Sequence, residues 1–349
     1  METSDKIRVG IIGATGYAGE ELLRLLLNHP QAVISGISSV SFEGESISKV
    51  YPALSGFCDM ILSDEDTVIQ NSDVVFASLP HGLSEPKAKK CLEQGKAFID
   101  LGADFRLYDE KDYQQWYGLS YQEKALHEQA VYCIPELHRA LVAGKKLIGN
   151  PGCYPTSIAL GLVPAVKADF IRVDNLIIDS KSGVTGAGRG LSQTTHYPDC
   201  NEAFSPYKVA AHRHTPEIEQ TISGLAGEQA TITFVPHLLP VNRGIVSTIY
   251  AELKEKTAAE EIYQQYCSFY RQEQFVRVMP LGSFANLKNV TFSNMCDISL
   301  HMDIRTNRLI IVSTIDNMIK GAAGQAIQNM NLICGLPENT GLHLVPPAF

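Results

Sequence analysis

Several absences narrow the possibilities before any motif is read. The eight cysteines, Cys58, Cys91, Cys133, Cys153, Cys200, Cys267, Cys296 and Cys334, contain no Cys-x-x-Cys pair and no Cys/His cluster at zinc-ligand spacing. No bound metal is expected, and eight thiols in 349 residues are too sparse for a disulfide scaffold. Long apolar runs are also missing: the most apolar stretch, 22–27, is broken by Arg24 and is far too short to cross a bilayer. Positive charge is in deficit, since 29 Lys+Arg against 38 Asp+Glu gives 29 − 38 = −9, which disfavours nucleic acid or an anionic membrane as partner. Met1-Glu2-Thr3-Ser4-Asp5-Lys6 is acidic and polar, so no signal peptide is expected and the thiols read as reduced and cytoplasmic. What remains is an ordinary globular composition, 45% hydrophobic and 19% charged, on a small-molecule partner. At roughly 100–200 residues per domain it predicts two domains.

The first part of the chain alternates strand-like and helix-like segments. Apolar runs at 7–12, 32–37, 74–77, 97–101 and 147–149 read as strands, with helical patterns at 20–27 and 85–93 between some of them. That alternation predicts a doubly wound parallel sheet of the α/β class. Beyond Asn150 the texture shifts to strands at 176–180, 230–235, 245–253, 299–303 and 309–314, with two helices at 216–225 and 257–270. This reads as a second, more antiparallel α+β domain. A last helix over 316–332 is rich in small residues that permit close backbone packing.

Four constellations carry chemistry. Gly13-Ala14-Thr15-Gly16-Tyr17-Ala18-Gly19 follows the first strand and opens a helix, a context in which glycines let a pyrophosphate approach backbone N–H groups. The second strand ends in Ser38-Ser39-Val40, with no carboxylate before Glu43 to repel a 2′-phosphate, so NADP is favoured over NAD. Asn150-Pro151-Gly152-Cys153-Tyr154-Pro155-Thr156 precedes a helical run and places the Cys153 sulfur at a helix N-terminus, where the dipole stabilises a thiolate. The other seven cysteines read as inert. His212-Arg213-His214-Thr215-Pro216-Glu217 supplies a proton shuttle just before a helix, and in an extended segment His212 and His214 share a face. In addition, Arg106 of Asp104-Phe105-Arg106 leaves a strand's carboxyl end, a place suited to phosphate or carboxylate. The stretch Ser182-Gly183-Val184-Thr185-Gly186-Ala187-Gly188-Arg189 is either a flexible loop or a backbone platform.

With these motifs assembled, the chain resembles the N-acetyl-γ-glutamyl-phosphate reductase family, related to aspartate-semialdehyde dehydrogenase. The resemblance runs through 13–20, Leu79-Pro80-His81-Gly82, Asp104 to Arg106, 150–156, His212 to Glu217, Pro236-His237-Leu238 and Asp316-Asn317. It implies a Rossmann-type NADP-binding domain over 1–149 plus 316–349, with the C-terminal helix returning to it, and a catalytic and subunit-contact domain over 150–315. It further implies that Cys153 attacks an acyl phosphate, that phosphate leaves, and that NADPH reduces the thioacyl enzyme to the aldehyde. His214 is the implied acid/base and His212 the runner-up. Arg106, Asn150, His212, Arg213 and Glu217 would serve substrate binding. Gly13, Thr15, Gly16, Tyr17, Ala18, Gly19, Ser38, Ser39, Leu79, Pro80, His81, Ser182, Gly183, Gly186 and Asn317 would serve the cofactor, in a homodimer or homotetramer. A sister enzyme acting on aspartyl phosphate or carrier-bound aminoadipyl phosphate is the near alternative. A thiol hydrolase built on Cys153 and His214, or a non-catalytic NADP-sensing protein, is the distant one.

Overall fold

The computed structural model describes residues 6–348, which divide into two compact units. The first runs to Pro151 and takes in Ala322–His343; the second is Gly152–Gly321 with the residues from Leu344 on. These junctions fall a few residues beyond the expected 149/150 and 315/316, and residues 344–348 group with the second unit.

The first unit is built on six parallel strands: β1 (Ile7–Ile12), β2 (Ala32–Ser38), β3 (Val74–Ala77), β4 (Ala97–Asp100), β5 (Val131–Tyr132) and β6 (Leu147–Gly149), in the order β2-β1-β3-β4-β6-β5. Short runs such as Val74–Ala77 are buried throughout, as parallel strands covered on both faces must be. The chain leaves β1 with β2 on one side and β3 on the other, which makes the carboxyl end of β1 the switch point where such sheets bind ligands. Helix Tyr17–Leu26 opens directly on the glycine turn, three residues earlier than its helix formers predict. The helix Gly324–Ile333 belongs to this unit: Gln328 Nε2 donates to Glu136 Oε1 at 3.1 Å, and Asn329 Nδ2 to Asn150 Oδ1 at 3.1 Å. The helix expected over 316–332 is interrupted: regular α structure begins only at Gly324, after a π-helical turn at Ile319–Ala323.

The second unit carries a mixed seven-stranded sheet. Its strands are β7 (Leu176–Gly183), β8 (Ser205–Pro206), β9 (Ile232–Leu239), β10 (Ile245–Glu252), β11 (Val276–Val278), β12 (Cys296–Asp303) and β13 (Arg308–Ile315), in the order β11-β12-β13-β10-β7-β9-β8. β7, β10, β13 and β12 are antiparallel neighbours, whereas β9 joins β7 and β11 joins β12 in parallel. Helix Cys153–Lys167 packs on β10 and β13 and is flanked by helices Thr215–Ala226 and Ala259–Phe269. Ile158, Leu160, Leu162 and Val163 of this helix are fully buried, so its position is set by core packing. Four hydroxyls reinforce it: Ser157 Oγ donates to Ser247 Oγ and Ser313 Oγ at 3.1 and 3.2 Å, and Ser180 Oγ donates to Ser247 Oγ at 2.8 Å.

Candidate active site

In the first unit the glycine turn is shaped for a close ligand. Gly13 has φ +82°, and a Cβ there would lie 2.4 Å from the Ser78 carbonyl oxygen; one on Gly19 would lie 2.3 Å from the Gly13 oxygen. Only glycine fits both places. Gly16 is the N-cap of helix Tyr17–Leu26 and has no side chain with which to cap it. The turn is fastened to the end of β2, where Gly13 N and Ala14 N donate to Ser38 O and Thr15 Oγ1 bonds Ser39 Oγ at 2.6 Å. Ser38 Oγ is buried and finds no partner among the described residues. An orphaned hydroxyl beside a helix end with glycine at its N-cap fits a dinucleotide, with the pyrophosphate on the helix N-terminus and the ribose at the end of β2. Leu79, Pro80 and His81 follow β3 at the same edge of the sheet, with the His81 ring 5.4 Å from Tyr117.

Arg106 lies beyond β4 and is only 8% exposed. Its Nε donates to Asn150 O at 2.9 Å and its Nη2 to Leu101 O at 2.8 Å, so two carbonyls set the guanidinium plane. Asn150 is buried and heavily engaged: Nδ2 donates to Ala322 O, Oδ1 accepts from Asn329, and N donates to Asp100 O. It acts as a structural anchor for the segment leading to Cys153. Asp100 has its carboxyl pushed up to about 6, first by burial and then by the charge of Asp104.

In the second unit Cys153 is the first residue of its helix and is half-buried. The helix end therefore presents orphan N–H groups and a positive dipole to the thiol. Glu217, expected among the substrate-binding residues, is fully buried, and its Oε1 accepts from Gly152 N at 2.7 Å, which satisfies one N–H of this helix end. Gly321 closes the other side. Its missing Cβ would stand 2.7 Å from Cys153 Cβ and 3.2 Å from Cys153 Cα. The π turn that brings Gly321 there is formed by Asp316: its Oδ1 accepts from Met318 N and Ile319 N, and its carbonyl accepts from Gly321 N five residues on.

The histidine pair sits in a turn, because Thr215 N donates back to His212 O; the extended segment expected from the sequence is absent. Even so, the two rings come within 4.8 Å of each other. His212 Nδ1 accepts from His214 N at 3.1 Å, which places the ring proton on Nε2. Burial, then Lys208 and Arg213, push the His212 pKa down to about 3, so this ring stays neutral at neutral pH. Its role in the geometry is to hold His214, the N-cap of helix Thr215–Ala226. Tyr154 connects the pair to the nucleophile: its ring lies 5.4 Å from His212 and 5.9 Å from His214, and its hydroxyl bonds that of Tyr207 at 3.0 Å.

The glycine-rich stretch is a platform. Gly183 N, Val184 N and Thr185 N donate to the Gly244, Val241 and Asn242 carbonyls, and the chain makes a 3-10 turn at Val184–Ala187. Ser182 is buried and Gly186 exposed. Asn317 ties the platform together, since Oδ1 accepts from Gly244 N at 2.6 Å and Nδ2 donates to Thr185 Oγ1 at 3.0 Å. Tyr207, Ser157 and Gly321 also shape this region and stand outside the chemical motifs. Only Gly321 carried a signal, as one of a run of small residues.

None of the eight cysteines is in a disulfide, and burial pushes Cys91 up to about 12 and Cys334 up to about 11. Among the described residues no group of three or more His, Cys, Asp or Glu side chains is placed to hold a metal ion, and no helix is long and apolar enough to cross a membrane.

The parallel-sheet unit and the mixed-sheet unit correspond to the two domains of a semialdehyde dehydrogenase. Residues 8–145 match the semialdehyde dehydrogenase NAD binding domain and residues 153–317 the dimerisation domain, so the protein takes a nicotinamide cofactor. Among solved structures, aspartate semialdehyde dehydrogenase II of Vibrio cholerae complexed with ASA has a TM-score of 0.71 at 17% identity, covering 94% of this chain and 98% of that one. The Candida albicans aspartate semialdehyde dehydrogenase with NADP has a TM-score of 0.69, also at 17% identity, covering 94% of this chain and 98% of that one. At such identities the likeness establishes the fold. Sequence relatives are far nearer: N-acetyl-gamma-glutamyl-phosphate reductase of Brachyspira hyodysenteriae is 58% identical, and that of Clostridium beijerinckii 55%, each match covering 98% of this chain and 100% of the relative. The chain belongs to the N-acetyl-gamma-glutamyl-phosphate reductase family.

Proposed function

We propose that the protein reduces N-acetyl-L-glutamyl 5-phosphate to N-acetyl-L-glutamate 5-semialdehyde and inorganic phosphate, in arginine biosynthesis. In this reading it uses NADPH and works in the cytoplasm as a homodimer or homotetramer. The observation that carries the reading is Cys153 at the first position of a buried helix, with a fixed histidine pair in the same unit.

The chemistry follows from the thiol. His214 takes the Cys153 proton as sulfur bonds to the acyl carbon, the carbon–oxygen bond to phosphate breaks, and the proton goes to the departing phosphate. Arg106, its plane set by two carbonyls, receives that phosphate. The thioester left behind is more readily reduced than a carboxylate. NADPH, when bound, supplies a hydride to the thioester carbon. Backbone N–H groups at the start of the cysteine helix hold the oxyanion, and its collapse breaks the carbon–sulfur bond to release aldehyde and thiolate. Gly13, Gly16 and Gly19 would receive the pyrophosphate, while Ser38 and Ser39, in place of a carboxylate, leave room for a 2′-phosphate.

Run in reverse with NADP and inorganic phosphate, the enzyme should oxidise N-acetylglutamate semialdehyde with a kcat/KM at least about 100-fold above that for aspartate semialdehyde, whose shorter chain and free amino group misplace the aldehyde. Equal rates, or a preference for aspartate semialdehyde, would assign the chain to the sister activity.

A further inference from the structure

The Asp316 side chain is fully buried, and its two carboxylate oxygens collect three backbone N–H groups: Oδ1 accepts from Met318 and Ile319, and Oδ2 accepts from Phe292 at 2.7 Å. Phe292 pays for its bond with a φ of +63°, a region that a bulky residue seldom enters and keeps only where its surroundings enforce it. A carboxylate taken out of water needs charge as well as hydrogen bonds.

Arg243 supplies that charge. It stands in the connection between β9 and β10, with Nη1 3.6 Å from Asp316 Oδ1 and its guanidinium 4.8 Å from the centre of the Phe292 ring. The Arg243 side chain is only 17% exposed, so water does little to screen the pair. One carboxylate thus gathers a cation from the β9–β10 connection, an amide from the segment before β12 and two amides from the turn after β13. That turn runs on to Gly321, whose N donates to Asp316 O at 3.0 Å and whose bare α-carbon faces Cys153 so closely that no Cβ would fit. From the guanidinium to the nucleophile the contacts are continuous and lie within the second unit.

We propose that Arg243 is a positioning residue for the nucleophile: it balances the buried Asp316 carboxylate and, through it, holds the π turn that sets Gly321 against Cys153. The assignment rests on Cys153 having the role given to it above. Without the guanidinium the buried charge loses this partner, the turn it organises relaxes, and the thiol is no longer confined to the helix end.

The test uses Arg243→Met, which keeps an apolar stem and removes the charge, together with Asp316→Asn and the double variant. Alkylation of Cys153 by iodoacetamide is followed in the free enzyme by peptide mass spectrometry, beside kcat/KM for the NADP- and phosphate-dependent oxidation of N-acetylglutamate semialdehyde. Arg243→Met should slow alkylation roughly 3-fold, because the thiol leaves the positive helix end, and lower kcat/KM about 10-fold through kcat. In the Asp316→Asn background the same substitution should add little to either readout. A wild-type alkylation rate with the loss confined to KM would mean that Arg243 meets the substrate itself, and overturns the proposal. So does an equal further loss on top of Asp316→Asn. Should Asp316→Asn fail to fold, alkylation of the Arg243→Met enzyme decides alone, and an unchanged rate refutes the assignment whatever the melting temperature. Failure of the functional reading looks different: the wild-type enzyme would not oxidise N-acetylglutamate semialdehyde, while the alkylation comparison still stands.

Discussion

Replacing Cys153 with serine is expected to reduce turnover by roughly 10⁴-fold or more while leaving NADPH binding intact, as removal of a covalent nucleophile does in other enzymes. The helix dipole that helps to ionise a thiol cannot ionise a hydroxyl whose pKa lies far higher. The substitution is nearly isosteric at a half-buried position, and the glycine turn expected to hold the cofactor lies in the other unit, so neither fold nor cofactor site should suffer. Steady-state kinetics with a parallel NADPH titration checks this. Activity within 10-fold of wild type would remove the covalent step from the mechanism.

The second large effect is expected at Gly321. An alanine there would put its Cβ 2.7 Å from Cys153 Cβ, closer than carbon atoms pack. Neither side yields easily: Cys153 opens a helix with a fully buried stem, and Gly321 N is bonded to Asp316 O in the π turn. The thiol must therefore shift. A displacement of about 1 Å from productive geometry can cost around 100-fold, so Gly321→Ala should lower kcat/KM by that order. The rate and pH dependence of Cys153 alkylation by iodoacetamide should change with it, because the thiol will have moved relative to the helix end. A purely structural role for Gly321 would lower the melting temperature and leave both readouts unchanged.

Much of the fold was legible in the amino-acid order because its signals are local. The strands β1, β3 and β6 follow from short apolar runs, and the glycine turn followed by helix formers marks the first βα unit. The start of the cysteine helix was legible too, through Gly152 and Pro155. Elements defined by distant partners were not. β9 continues through Pro236 to Leu239 because it pairs with β7 over its whole length, although a proline normally reads as the end of a strand. The break between Ile315 and Gly324 is set by the buried carboxylate of Asp316 catching three backbone N–H groups, one of them from Phe292. In a one-dimensional reading the same residues look like uninterrupted helix.

The candidate site divides along the same line. Cys153, the histidine pair and Arg106 could be named because their residue types stand in informative contexts. Their division of labour could not. The preference for His214 over His212 as the proposed acid/base draws on a feature invisible in the sequence: the His212 ring is buried, neutral and bonded to the His214 backbone. The residue pattern also gives no hint that the Glu217 carboxylate sits on Gly152 N or that both ends of the Asn150 amide are bonded.

The central claim is a covalent acyl-cysteine that phosphate must cleave in the reverse direction. Wild-type enzyme mixed rapidly with NADP and N-acetylglutamate semialdehyde in phosphate-free buffer should produce a burst of NADPH close to one equivalent per Cys153 and then stall, with the acyl group found on the Cys153 peptide by mass spectrometry. Adding inorganic phosphate should release that group and restore steady turnover. Continuous NADPH formation without phosphate, or a burst with Cys153 unmodified, would contradict the account.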